Sequence, residues 1–289
     1  MAKKKQQMTV AQQQQVFNFD VNKFENFNAT VNELRTGIYA PIEKISHNSA
    51  TNIAFVKNGK RRNIVSSWGE VNVLGNILTQ THRDLLDCVL TVASQPVAIE
   101  GGSVAYYFKF TDVLNTYNTG NKKNFSWVKK KLQEVQTTGI EFKEKDKKNF
   151  VSFNIIEKVA YSEEHELWGI VFSADYRKYV EQNLTLDYKE ELPKLLKIDS
   201  ALLKSIIRFF WTHKYCNISV EQMLRSIGYP IESERAIRTA KKEIKDNKEM
   251  LENEFGIYYN EKENFIYTQI TDNINFIPPT KSEFIQLEN

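Results

Sequence analysis

The stretch from Arg235 to Lys248 concentrates cations, with six basic residues against two acidic ones, Glu243 and Asp246. At about 100° per residue, Arg235, Arg238, Lys241, Lys242 and Lys245 share one side of a helix. Ile237, Ala240, Ile244 and Leu251 fall in a narrow sector on another side. Arginine forks read guanine edges in a major groove, and lysines pair with phosphates. A charged helix face usually means only solvation, so the reading depends on what flanks it. A second basic group has the same form. Lys122, Lys123, Ser126, Lys129 and Lys130 gather on one side of a helix over Asn124–Val135, away from Phe125, Val128, Leu132 and Val135. Trp127 lies between the two sectors, where it can pack against sugar or backbone. The turn at Lys145, Lys147 and Lys148 is a candidate wing whose lysines reach phosphates without reading bases. The alternatives are a solvated face or one covered by a dimer partner. Cations in a dimer interface would lose hydration without gaining partners, which favours DNA.

The elements that must position the first group give it its meaning. Asp199 or Ser200 can cap a helix with Leu202, Leu203, Ile206, Ile207 and Phe210 on its apolar side. Ser219 with Gln222 three residues on is a capping-box pattern that opens a second helix burying Val220, Met223, Leu224 and Ile227. Gly228 ends it and Pro230 resists continuation. The charged helix follows from about Glu232, and two aromatic runs, 256–260 and 264–268, read as a ribbon. Helix, helix, turn, helix, ribbon is the order of a winged helix-turn-helix, and that order favours DNA over mere solvation.

The same order is expected upstream. Leu78–Leu90 is an amphipathic helix with Thr79 as its cap and Leu85, Leu86, Val89, Leu90 and Val92 inside. Phe110–Tyr117 is a shorter helix, with Thr111 as its cap. The basic helix is third, and β-rich runs follow over 140–145, 150–161 and 167–172. Shorter strands are expected at 64–65 and 71–73, and a basic turn around Gly59 from Lys57 to Arg62. The fold class is therefore α+β, with two tandem winged helix-turn-helix domains. The repeat is one of architecture, with no aligned sequence repeat. The expected organisation is a mobile basic, Gln-rich tail over 1–28 and a first domain over 29–175. A linker helix over 176–196, a second domain over 197–270 and a tail over 271–289 complete it.

Composition sets limits. At 41% hydrophobic and 26% charged, 289 residues can build two cores. The net charge is only +3, so the case for nucleic acid depends on where the lysines sit. There is no apolar run of about eighteen residues and no apolar signal core near the start, which points to the cytoplasm and no membrane. Cys88 and Cys216 lie in apolar helix patterns and read as small buried hydrophobes.

Catalytic chemistry finds no support. His47, His82, His165 and His213 are scattered, and none is spaced as a metal ligand. His213 reads as a cation at a helix end. No His-hydrophobic-His pair supports a rolling-circle nickase, and no phosphate-binding glycine loop supports a motor. Gly101-Gly102 reads as a turn and Glu163-Glu164 as a hairpin loop. No enzymatic activity, no cofactor and no metal are expected.

Several segments resemble TrfA-type plasmid replication initiators. Val71–Asp84, reading strand, Gly75, Leu78, Thr79, Gln80 and Asp84, is similar to the entry to their first module. Leu34-Arg35-Thr36-Gly37-Ile38 looks like an earlier segment of theirs. Phe209–Lys214 is similar to the helix end of their second module, with Thr212 where serine is usual, and Ser219–Gly228 to the segment before their recognition helix. The resemblance covers about residues 30 to 260. It implies an initiator that binds repeated origin sites (iterons) on double-stranded plasmid DNA through both modules. It also implies opening of an AT-rich region, recruitment of the host initiator and helicase, and a monomer–dimer equilibrium. Phe284–Asn289 holds a Gln-Leu pair faintly like a peptide that docks on a sliding clamp, although a frayed tail is expected. The alternatives are a winged-helix transcriptional repressor and, from another class, a nicking initiator.

Overall fold

The computed structural model describes residues 21–65, 69–117, 125–144, 150–231, 233–260 and 264–280. The N-terminal half runs β1 (Ala29–Thr30), α1 (Val31–Arg35), α2 (Ala50–Lys57), β2 (Arg61–Val65), β3 (Gly69–Leu74), α3 (Gln80–Val92), β4 (Val97–Ala98), β5 (Val104–Phe108), α4 (Phe110–Tyr117), α5 (Phe125–Gln136), β6 (Gly139–Glu144), β7 (Phe150–Asn154), β8 (Ile156–Ser162) and β9 (Leu167–Phe172). The C-terminal half runs α6 (Ala174–Gln182), β10 (Thr185–Asp187), α7 (Leu192–Leu196), α8 (Ala201–Trp211), β11 (Tyr215–Ser219), α9 (Val220–Ser226), α10 (Glu234–Asp246), α11 (Lys248–Phe255), β12 (Ile257–Tyr259), β13 (Asn264–Thr268) and β14 (Asn275–Ile277).

The chain is two tandem winged helix-turn-helix modules. In the first, α3, α4 and α5 stand against a sheet of order β4-β5-β9-β8, and a second sheet, β2-β3-β6-β7, is added beside it. In the second, α8, α9 and α10 stand against a sheet of order β11-β13-β12. In both modules the strand after the first helix (β5, β11) joins the ribbon that follows the third. β11 pairs with β13 from Tyr215↔Thr268 to Ser219↔Asn264. The sequence carries no separate signal for this strand, because Tyr215–Ser219 lies between two strong helix signals. Cys216 accordingly sits in a strand, half-buried, while Cys88 is buried in α3.

α8 forms because Ser200 caps it, its hydroxyl accepting from Leu203 N–H at 3.1 Å, and because every residue from Leu202 to Trp211 is buried. Each fully buried Leu, Ile or Phe contributes about 1.5–3 kcal/mol. α3 is likewise buried from Gln80 to Leu90. Both helices carry an apolar stripe, and their polar sides are enclosed as well because the two meet across the junction of the modules.

Three spans differ from expectation. The tail ends earlier than residue 28, since Phe24 and Phe27 are buried in the first core. Gln- and Asn-rich surroundings hide this in the sequence, but two phenylalanines find an apolar site. The segment over 176–196 is helix, strand and helix, with β10 bridging β1 and β14 in a fourth sheet. Residues 275–277, expected in the tail, thus pair with 185–187, because backbone pairing holds a strand as short as three residues at a sheet edge; Phe284–Asn289 lies outside the described residues. Ala29, Val31 and Leu34 pack in the second core, beside α8.

Two glycines set the junction. Gly37 (φ 59°) and Gly228 (φ 67°) are left-handed, and their backbones touch. A Cβ on Gly37 would meet the Ile227 carbonyl, and one on Gly228 would meet the Arg62 guanidinium. Only glycine fits both constraints. No helix among the described residues is long and apolar enough to cross a membrane.

Candidate nucleic-acid interface

α10 begins where Ser233 caps it, its hydroxyl accepting from Ala236 N–H at 3.3 Å. Ala240 and Ile244 are buried in the second core, and Ile237 is half-buried. Arg235, Arg238, Lys242 and Lys245 are exposed, and Lys241 is half-buried. Arg238 lies 3.8 Å from Glu234 in a fully solvated pair, which costs little to break. The expected single helix is two, divided at Asn247, whose side-chain amide donates to the Glu243 carbonyl at 2.8 Å. A short amide side chain that competes for backbone partners ends the helix there. Leu251 therefore belongs to α11, still buried. The division leaves the cationic face intact, because every residue assigned to it precedes Asn247.

In the first module, Val128, Leu132 and Val135 of α5 are buried, and Ser126, Lys129 and Lys130 are exposed. Lys122, Lys123, Lys145, Lys147 and Lys148 lie outside the described residues. Trp127 is half-buried and edge-on to Tyr117, with ring centroids 5.6 Å apart. Phe125, expected on the apolar side, is 39% exposed, at the rim of an aromatic group where it leans on Trp168 at 4.6 Å. Thr111 lies inside the first turn of α4, which starts one residue earlier.

α5 is tied to α3 through His82. Its Nδ1 accepts from Thr79 N–H at 2.9 Å, so Nε2 carries the proton and donates to Glu134 at 2.7 Å. Burial lowers the His82 pKa, against the pull of Glu134, and the ring is neutral. Burial works to raise Glu134, but hydrogen bonds from His82 and Lys131, with the Lys131 charge, hold it down at about 2. His213 differs from expectation. Burial, reinforced by Arg35, lowers its pKa to about 4, so it is not a helix-end cation at neutral pH. The cation that serves the end of α8 is Arg35 from α1, which donates to the Thr212 carbonyl at 2.6 Å and its hydroxyl at 2.8 Å.

Sequence reasoning missed a buried ionic cluster between the modules. Arg208 of α8 donates to Gln80 (2.6 Å), Asp84 (2.6 Å) and Asp87 (2.7 Å) of α3. Lys204 pairs with Asp84 at 2.7 Å. Arg83 donates twice to Asp87, at 3.0 and 2.7 Å, and Tyr188 donates to the same carboxylate at 2.9 Å. Burial alone would lower the Arg208 pKa, but Asp84 and Asp87 raise it, so it stays charged. The signal was present: Lys204 and Arg208 recur at i, i+4 in an otherwise apolar helix, as do Arg83 and Asp87. The cluster joins α3 of the first module to α8 of the second.

The fold has a solved counterpart. It is similar to that of domains 2 and 3 of RctB. A crystal structure of those domains superposes with a TM-score of 0.51 at 10% sequence identity, covering 84% of this chain and 99% of that one. A second crystal structure of RctB domains 2–3 gives a TM-score of 0.38 at 12% identity over 64% of this chain and 76% of that one. No family model matches the sequence, and no curated protein matches it. At this identity the likeness speaks for the fold.

Proposed function

We propose that this chain is a sequence-specific DNA-binding replication initiator, without catalytic activity, cofactor or metal of its own. It grips repeated origin sites with both modules, promotes opening of the adjacent duplex and recruits the host initiator and helicase in the bacterial cytoplasm. The observation that supports DNA binding most directly is the face of α10. Four exposed cations spread over eleven residues, about 15 Å of helix, on an element whose other side is anchored in the core. A helix fits the major groove, about 12 Å wide. The matched fold is that of RctB domains 2 and 3, and the sequence resemblance to plasmid initiators supplies iterons, host factors and a monomer–dimer equilibrium.

A transcriptional repressor would use the same geometry, and the arrangement of its sites would separate the two. Residue roles within the face are tested by substitution. Arg238 lies in the second turn of α10, near the end that enters the groove in such modules. Arg238→Ala should relax base preference at one position at a cost of about 1–3 kcal/mol. Lys245→Ala should weaken specific and random duplexes alike. Equal losses on both duplexes for both variants would overturn the assignment.

A further inference from the structure

The turn between α2 and β2 carries four cations, Lys57, Lys60, Arg61 and Arg62, with no acidic residue among them. Its shape is fixed. Gly59 and Lys60 are both left-handed, Lys60 N–H donates to Phe55 O at 2.9 Å, and the Asn58 amide donates to Arg61 O at 2.9 Å. On the far side, Gly75 N–H donates to Lys60 O at 3.0 Å.

Arg62 ties this turn to the other module. Its guanidinium donates to Gly37 O at 2.6 Å and to Gly228 O at 3.0 Å. Gly228 ends α9, and α10 starts six residues later. The turn is therefore held beside the entry to α10. Between them runs an open groove of about 870 Å³, with Asn58, Arg61 and Arg62 on one wall and Arg225, Tyr229 and Ser233 on the other. Lys57, Lys60, Arg61 and Arg225 are exposed, and none makes an ion pair with an acidic group among the described residues.

We infer that Lys57, Lys60 and Arg61, with Arg225 across the groove, form a phosphate-binding rim, so that duplex DNA docked on α10 of the second module is also held by the first. The inference rests on the DNA-binding reading of α10. The occupant is identified by charge. Free cations on both walls, at the mouth of a groove that opens at the start of a cationic helix, suit a polyanionic backbone running past that helix. Arg62 is a positioning residue, since backbone carbonyls of both modules occupy its guanidinium. The rim reads no bases, because two lysines and an arginine on a turn, with a second arginine at a helix end, reach phosphate and not a groove floor. It adds affinity and fixes orientation.

The test is the salt dependence of full-chain binding to a mixed-sequence duplex of about four helical turns. Each phosphate contact contributes about 0.9 to the slope of log affinity against log salt. The triple variant Lys57→Gln, Lys60→Gln, Arg61→Gln should lower that slope by about 2–3, and Arg225→Gln by about 1. All four positions are exposed, and unchanged far-UV circular dichroism and thermal melting would show that the variants fold. A steep wild-type slope that the triple variant keeps would overturn the rim and leave the α10 reading standing. A wild-type slope near zero would overturn the α10 reading, and the rim with it. Poly-glutamate binding that the triple variant loses, with the DNA slope unchanged, would assign the groove to an acidic protein segment and also overturn the rim.

Discussion

Asp87 is the hub of the inter-module cluster, and Asp87→Ala is the most informative single change to it. The carboxylate is fully buried, as are Arg83 and Arg208. It accepts two bonds from Arg83, one from Arg208 and one from Tyr188. Arg208 retains Asp84 and Gln80 when Asp87 is removed. Arg83 retains the Asn28 carbonyl, at 3.1 Å, and its place over the Tyr39 ring. Breaking a buried pair from one side costs about 3–5 kcal/mol, and a stranded hydroxyl about 1–3 kcal/mol. These losses share one site and are not additive, so a total of about 5 kcal/mol is expected. For a chain of this size that lowers Tm by about 10–20 °C. Calorimetry and urea denaturation of the full chain read it directly. The double variant Arg83→Met, Asp87→Leu removes the stranded charge along with its partner and should recover at least half of the loss, as apolar replacement of buried pairs does. A loss below about 1 kcal/mol for Asp87→Ala, or a double variant less stable than the single one, would refute the view that a dry ionic cluster joins the modules.

Gly37→Ala should cost about 2 kcal/mol or more, because it combines a left-handed backbone with a collision at Ile227. Gly59→Ala, left-handed but in open space, should cost about 1 kcal/mol; equal losses in urea melts would show that the glycine contact does not set the junction. Stability should fall as pH drops from 6.5 toward 4. His213, lowered from 6.5 to about 4, and His82, also lowered, take up protons more readily in the unfolded chain. The stability they contribute is therefore full above the unfolded pKa and is lost on acidification through that window. His213→Asn should flatten the dependence of the urea midpoint on pH, and an unchanged slope would contradict the assignment.

Most of the architecture was legible where periodicity is long and buried faces are clean. α3, α4, α5, α8 and α9 all start within two residues of their sequence signals, because caps and apolar stripes coincide there. β11 and β14 were not legible, since strands of five and three residues acquire their order from distant partners. The Asn247 break was hidden because the apolar positions on either side of it keep helical spacing. At the candidate interface the exposed faces of α10 and α5 followed from amphipathicity alone. The ionic cluster and the Arg62 tie did not, because each depends on which module faces which, and a residue's own neighbours in sequence do not carry that. Lys57–Arg62 was visible only as a basic turn; its position beside α10 is a property of the fold.

The central claim is that this chain recognises repeated sites in duplex DNA. The most direct measurement is a nuclease footprint of the full chain on the DNA flanking its own coding region. The account predicts several protected direct repeats, spaced by about two helical turns and adjoining AT-rich sequence, with both halves of each repeat covered. Protection of a single palindrome would assign the chain to repression, and no sequence-specific protection at moderate salt would contradict the account.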